Sequence, residues 1–204
     1  MPLSDFVIRS KLIPPQPQRA WFSRPRLRQK LTDSTTYPLT VIHAGTGFGK
    51  TTALLELRSL YPSACWYDIS DPDRDPTVFL SHLLSALLPD PGPLLSKLEQ
   101  KGITGASGIL TALINQLTTD LEEDTILILD DFHLVNRVAE IEKWVEQLVE
   151  HHPPHLHIAI AARQMPEMPA FVRWRVKDRV LIVDQSDLSF NQEEIQQLFN
   201  EHHQ

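Results

Sequence analysis

The segment Val41-Ile42-His43-Ala44-Gly45-Thr46-Gly47-Phe48-Gly49-Lys50-Thr51-Thr52 concentrates the chemistry of this chain. Three glycines in five positions free the backbone to turn its N–H groups inward, and Lys50 and Thr51 follow at once. Amides, an ammonium and a hydroxyl grouped at a helix start suit the oxygens of a polyphosphate, which the positive end of a helix also attracts. The spacing is that of the phosphate-loop pattern G-x-x-x-x-G-K-[ST], with Ala44 in place of the first glycine. In such a loop Lys50 pairs with the β- and γ-phosphates and the Thr51 hydroxyl binds Mg²⁺. The plain alternative is a glycine-rich turn with an incidental lysine. Glycine costs about 0.5–1 kcal/mol in regular structure, which favours a close approach of backbone to ligand over a generic turn.

A second element adds acids. Ile126-Leu127-Ile128-Leu129-Asp130-Asp131 reads as an apolar strand delivering two carboxylates at its carboxyl end, the end at which open α/β sheets bind ligands. Asp130 fits the acidic residue that holds Mg²⁺. Asp131 could orient or deprotonate an attacking water, or it could cap the next turn. Arg163, after the apolar run His157–Ala162, could stabilise a terminal phosphate or pair with a nearby acid on the surface. The candidate set is therefore Ala44, Gly45, Thr46, Gly47, Phe48, Gly49, Lys50, Thr51 and Thr52 for nucleotide. Thr51 and Asp130 are the candidates for metal, and Asp131, Lys50 and Arg163 those for turnover.

These residues must be positioned by regular elements. Short Val/Ile/Leu-rich runs at Leu39–Ala44, Ala64–Ile69, Ile126–Asp130, His157–Ala162 and Val180–Val183 read as strands buried on both faces. Amphipathic stretches lie between them. Lys50–Leu60 follows the first strand. Asp75-Pro76 supplies a cap and a first-turn proline for the stripe Val78, Phe79, Leu83, Leu84, Leu87 and Leu88. Leu110, Leu113, Ile114 and Leu117 form another stripe, and Ile141, Val145, Leu148 and Val149 a third. Strand–helix alternation predicts a parallel α/β sheet of about five strands with helices on both faces. Residues 1–20 are proline-rich and aperiodic, which predicts an extended segment on a surface. Residues 190–204 begin a further helix with Ile195, Leu198 and Phe199, so a fragment of a longer protein is expected.

The net charge of −7 opposes a general affinity for nucleic-acid phosphates. Cys65 is the only cysteine, which rules out an intramolecular disulfide and a cysteine-built zinc site. No signal-like segment and no run of about 18 apolar residues is present, so the expectation is a cytoplasmic protein without a membrane partner.

Taken in order, these segments resemble the nucleotide-binding domain of STAND-class ATPases, in the branch of MalT-like, LuxR-type transcriptional regulators. Lys11-Leu12-Ile13-Pro14-Pro15 and Ser23-Arg24-Pro25-Arg26-Leu27 match that branch's N-terminal segment. Ala44 through Thr52 match its phosphate loop, where the first glycine is commonly alanine. Leu129-Asp130-Asp131-Phe132-His133 matches its acidic signature, Ala162-Arg163 its sensor arginine, and Asp187-Leu188-Ser189-Phe190 its entry into the next helical subdomain. The resemblance implies a three-layer core with a central phosphate-loop strand. It also implies an adenine flanked by the N-terminal segment, which makes Phe22, Arg24 and Arg26 candidate contacts. Its functional implication is an ATP/ADP switch that multimerises with ATP and an inducer. Other domains of a longer parent chain are implied partners, and inducer recognition and DNA binding are not expected of these residues. The implied layout is an N-terminal segment and adenine-side helix start over 1–30, a phosphate-loop core over 31–188, and the start of a helical subdomain over 189–204.

Other clusters suggest less. Asp71, Asp73 and Asp75 imitate a calcium loop, but Pro76 and His82 stand where glycine and glutamate are needed. His151, His152, His155 and His157 straddle Pro153-Pro154 in no metal-binding spacing and read as loop histidines. Arg173, Arg175, Lys177 and Arg179 read as a solvated or interdomain face. Ser107 reads as a helix cap, and Trp21, Phe22 and Phe48 as core or lining residues. The leading functional reading is a regulatory switch that binds ATP or ADP with Mg²⁺ and hydrolyses ATP slowly. Its rivals are a cycling AAA+-like motor or kinase, and a nucleotide-stabilised interaction module.

Overall fold

A computed structural model describes residues 3–16 and 22–202, so Trp21 lies outside the described residues. Five strands form one parallel sheet: β1 Leu39–His43, β2 Cys65–Asp68, β3 Thr125–Asp130, β4 Leu156–Ala162 and β5 Val180–Val183, in the order β2-β3-β4-β1-β5. The phosphate-loop strand β1 is interior, paired with β4 on one side and β5 on the other. The helices are α1 Pro25–Thr32, α2 Lys50–Leu60, α3 Pro76–Leu87, α4 Gly92–Gln100, α5 Ala106–Asp120, α6 Ala139–Glu150, α7 Phe171–Val176, α8 Gln185–Leu188 and α9 Gln192–His202.

Alternation along each strand divides the core into two layers. Val41, Leu127, Leu129, Ile158 and Ile160 face α3, α5 and α6. Ile42, Ile126, Ile128, Ala159 and Ala161 face α1 and α2, whose Leu27, Leu31, Ala53, Leu54 and Leu57 are fully buried. The alanines of β4 are small where α2 crosses the sheet, which lets the helix after the phosphate loop pack closely. The three-layer α/β architecture expected of the sequence is thus the one found.

The N-terminal segment departs from expectation. Instead of lying extended, it forms two 3-10 turns, Leu3–Phe6 and Arg9–Leu12, packed against α3 and the edge strand β2. Its anchor is a polar network around Asp73, whose side chain is fully buried. Lys11 Nζ donates to Asp73 Oδ2, Tyr67 Oη donates to Oδ1 at 2.8 Å, and the Ser70 amide donates to Oδ2 at 2.7 Å. Burial would raise the Asp73 pKa, but these donors hold it below the usual carboxylate range. His82, also fully buried, accepts the Ile8 N–H on Nε2 at 2.9 Å and faces the Val78 carbonyl through Nδ1, so it is neutral with its proton on Nδ1.

The predicted cap of α3 is present, with Asp75 accepting from the Thr77 amide at 2.7 Å. Ser107 does not cap α5: it lies inside the first turn, and Gly105 occupies the cap position without a side-chain bond. Of the basic cluster, Arg173 pairs with Glu150 and Arg179 donates to the Val149 carbonyl at 2.7 Å, so both fasten α7 to the end of α6. His157 is not a solvated loop residue. It is buried in β4 with Nδ1 against the Tyr37 carbonyl at 2.9 Å. Among the described residues no group of three or more metal-ligating side chains occurs, and no helix is long and apolar enough to cross a membrane.

Removing one member of a buried ion pair costs about 3–5 kcal/mol, because the other charge is left without a partner. Asp73→Ala should lower the unfolding free energy by about that amount in urea titration. An unchanged midpoint would show that the network holds the arm without stabilising the fold.

Candidate functional site

The loop between β1 and α2 owes its shape to two backbone positions. Gly47 has φ +84° and Gly49 +76°, left-handed conformations that side chains resist. Gly45 has ordinary φ, and a Cβ there would sit 3.5 Å from the Phe48 ring, a normal contact. Gly49 is the residue before α2, so its turn aims the first amides of that helix into the loop. Lys50, 9% exposed, lies along the loop with Nζ 3.0 Å from the carbonyl oxygens of both Ala44 and Gly45.

Across the sheet, Thr51 Oγ1 donates to Asp130 Oδ2 at 2.8 Å, joining the helix after the loop to the carboxyl end of β3. Asp130 is 4% exposed. Burial raises its pKa to about 6, with the Asp131 and Asp68 charges adding to the rise, and the Thr51 hydroxyl and the Asp131 amide opposing it. That amide donates to Asp130 Oδ1 at 2.9 Å. A buried carboxylate beside a hydroxyl is a hard oxygen donor pair, and it fits Mg²⁺, which takes few protein oxygens and keeps its remaining ligands as water or phosphate.

Asp131 has φ +54° and is 45% exposed at its side chain, which makes no capping bond to the turn Phe132–Leu134. Its carboxylate faces His133, with Oδ1 3.6 Å from Nδ1. Arg163 is exposed just beyond β4, and its charge, like that of Lys50, acts on His133. The structure therefore gathers the loop, Lys50, Thr51, Asp130, Asp131 and Arg163 at the carboxyl ends of β1, β3 and β4.

The remaining candidates are placed differently. Arg24 is 4% exposed, donates to the Leu188 carbonyl and stacks 5.1 Å from the Phe190 ring centroid. Arg26 donates to the carbonyls of Asp187 and Ser189 at 3.0 Å. Phe22 packs on Phe190 with centroids 6.1 Å apart. These three side chains contact the Asp187–Phe190 segment. Lys11–Pro15 lies at the β2 edge, separated from β1 by β3 and β4.

Three participants escape sequence reasoning. Glu56, 1% exposed on α2, accepts from Ser23 Oγ at 2.8 Å and ties the segment before α1 to the helix after the loop. Gln185 reaches within 3.8 Å of the Cβ position of Gly45. Asp68 pairs in register with Asp130, bringing a third carboxylate to this end of the sheet. Only strand order reveals the last, and strand order is not written in local pattern.

No protein-family model matches the chain. It is 30% identical over 197 residues to the HTH-type transcriptional regulator MalT of Yersinia enterocolitica, covering 95% of this chain and 22% of that protein. MalT of Yersinia pestis (strain Pestoides F) gives 30% over 196 residues, with the same shares. The chain thus spans about a fifth of the length of the curated relatives it matches. Among solved structures, a DNA replication initiation factor is similar with TM-score 0.44 and 13% identity, covering 86% of this chain and 48% of that one. PCH-2 of C. elegans is similar with TM-score 0.40 and 13% identity over 78% and 40%. Likenesses that slight carry no functional argument. The alignment to the regulators runs along nearly all of this chain, which is similar over that length to MalT-like regulators of the STAND-class P-loop ATPase type.

Proposed function

We propose that this domain binds ATP or ADP with Mg²⁺ and acts as a regulatory switch that hydrolyses ATP slowly, within a longer protein that regulates transcription. The observation that carries this reading is the 2.8 Å bond from Thr51 to Asp130, which sets a metal-competent hydroxyl and carboxylate beside a glycine-shaped loop and its lysine. The relatives' role as transcriptional regulators supports the regulatory context.

In this reading the amides of Gly45 through Thr52 cradle the phosphates and Lys50 pairs with the β- and γ-phosphates. Thr51 and Asp130 would hold Mg²⁺, which would supply positive charge against the transferring phosphoryl oxygens. Asp131, half exposed beside that pair, takes the proton of the attacking water. The water oxygen bonds to the γ-phosphorus, the bond to the β–γ bridging oxygen breaks, and ADP and inorganic phosphate leave. Arg163 balances charge on the γ-phosphoryl oxygens. The Phe22–Arg24–Phe190 seam frames the base side. Contact with further domains and nucleotide-dependent self-association complete the proposed switch, in a cytoplasmic setting.

Lys50→Ala should abolish binding of Mg-ATP in calorimetric titration, and a retained isotherm would remove the loop from the site. Asp131→Asn should keep that isotherm and suppress phosphate release; an unaltered release rate would take Asp131 out of turnover. Asp130 supplies a test by pH. Its carboxyl has a folded pKa raised to about 6, above the ordinary 3.8, so its contribution to stability is full below the ordinary value and lost as pH rises through 6. With EDTA and no nucleotide, Asp130→Asn should therefore melt higher than wild type at pH 8, with the gap closing toward pH 5. A gap that stays constant with pH would contradict the buried, ionised carboxylate.

A further inference from the structure

The two histidines buried among the described residues each have at least one ring nitrogen hydrogen-bonded. His82 is held by the Ile8 amide and the Val78 carbonyl, and His157 by the Tyr37 carbonyl. His133 is different. Its side chain is 16% exposed, both ring nitrogens are shielded, and neither has a hydrogen-bond partner among the described residues. A buried donor and acceptor left unpaired in one ring are costly, and such groups persist where they serve a site.

The backbone explains how the ring comes to be there. Asp131 leaves β3 in the left-handed region, so its side chain turns out of the strand's line. Phe132, fully buried, anchors the turn Phe132–Leu134, which carries the His133 ring beside Asp131. Nδ1 ends 3.6 Å from Oδ1, just beyond a hydrogen bond. That imidazole is the one group carrying an N–H recorded within 4 Å of the Asp131 carboxylate among the described residues, the neighbouring Asp130 and Asp68 charges only repelling it, while the Asp131 amide is fixed on Asp130. Burial lowers the His133 pKa, and of the charges acting on the ring, Asp131 and Asp71 are negative, Arg163 and Lys50 positive. A neutral ring offers one N–H and one lone pair, and the N–H belongs on the side of the carboxylate.

Resting on the reading of Asp131 given above, we propose that His133 is the positioning residue of the reaction: with a nucleoside triphosphate in the loop, its Nδ1–H closes on Asp131 Oδ1 and aims that carboxylate at the attacking water. The required movement is small, since Asp131 is half exposed and its carboxylate can turn. His133 takes no proton from substrate and forms no bond to it. It acts through Asp131, as an orienting group acts through a base.

The experiment combines kinetics with a direct view of the ring. His133→Ala should slow single-turnover phosphate release about tenfold or more, while ATP and ADP affinities stay within about twofold. His133→Asn, whose amide nitrogen stands where Nδ1 stood, should recover most of the rate; His133→Gln, which reaches the Nε2 position, should not. In an Asp131→Asn background, His133→Ala should cause no further loss. Independently of turnover, ¹⁵N spectra of the histidine rings with Mg²⁺ and the β,γ-imido analogue of ATP should show His133 protonated and hydrogen-bonded at Nδ1. ADP should not produce this signature, and Asp131→Ala should abolish it. Wild-type release from His133→Ala, rescue by Gln instead of Asn, multiplicative losses with Asp131→Asn, or a ring unmoved by the analogue would each overturn the proposal. Loss of nucleotide binding in Lys50→Ala tests the site itself. If Asp131→Asn releases phosphate normally while the ring still shifts, the role of Asp131 in turnover falls and the His133–Asp131 contact stands.

Discussion

A single hydroxyl-to-carboxylate bond, from Thr51 to Asp130, ties the two halves of this domain's chemistry together. It links elements from different strands, β1 with its following helix and β3 with its acidic end, across the intervening β4. The bond is short and shielded, and the carboxylate it engages has little other compensation: one amide, and two acidic neighbours that push against its charge. A carboxylate so placed is poised to accept a cation, because the protein supplies the geometry of a ligand pair and withholds the opposing charge.

Several features of the fold fix the positions of those two residues. Two left-handed glycines set the first turn of α2, and the alanines of β4 let that helix lie close on the sheet. In-register pairing of β2 with β3 brings Asp68 alongside Asp130, and Phe132 locks the chain immediately after the acids. At the far edge, the Asp73 network fastens the N-terminal turns to β2 and α3 without touching the phosphate loop. The two ends of the N-terminal region thus do separate work. Residues 3–16 cover an edge strand, and residues 22–27 bind the Asp187–Phe190 segment.

Much of this was legible in the chain itself, for physical reasons that also mark where legibility stops. Strands buried on both faces write themselves as apolar runs, and all five were found within a residue or two of their expected limits. The helix after the loop coincides with its expected span, because Gly49 and Lys50 mark its start without ambiguity. Helix α4 lies where no element was expected; it opens at Pro91-Gly92-Pro93, and proline is well accommodated in a first helical turn. Helix α7 has six residues, too few to hold by propensity, and is kept by Trp174 donating to Glu150 at 2.7 Å. In the site, residue types pointed to Lys50, Thr51, Asp130, Asp131 and Arg163, which local spacing could supply. The occupation of Arg24 and Arg26 by distant carbonyls, the approach of Gln185 to the loop and the isolation of the His133 ring depend on contacts between remote segments. No local pattern encodes those.

The posture of Lys50 has a thermodynamic consequence. Its ammonium already rests on two backbone oxygens at 3.0 Å, so an anion entering the loop must displace good dipole contacts before it gains the lysine. Docking there is an exchange, and the measured heat is a difference between two well-made sets of bonds. A small monovalent ion offers too little to win that competition, whereas a chain of phosphoryl groups meets the lysine and the helix amides at once. On the proposed reading, the lysine's prior engagement disfavours chloride relative to a ligand that meets the lysine and the helix amides together.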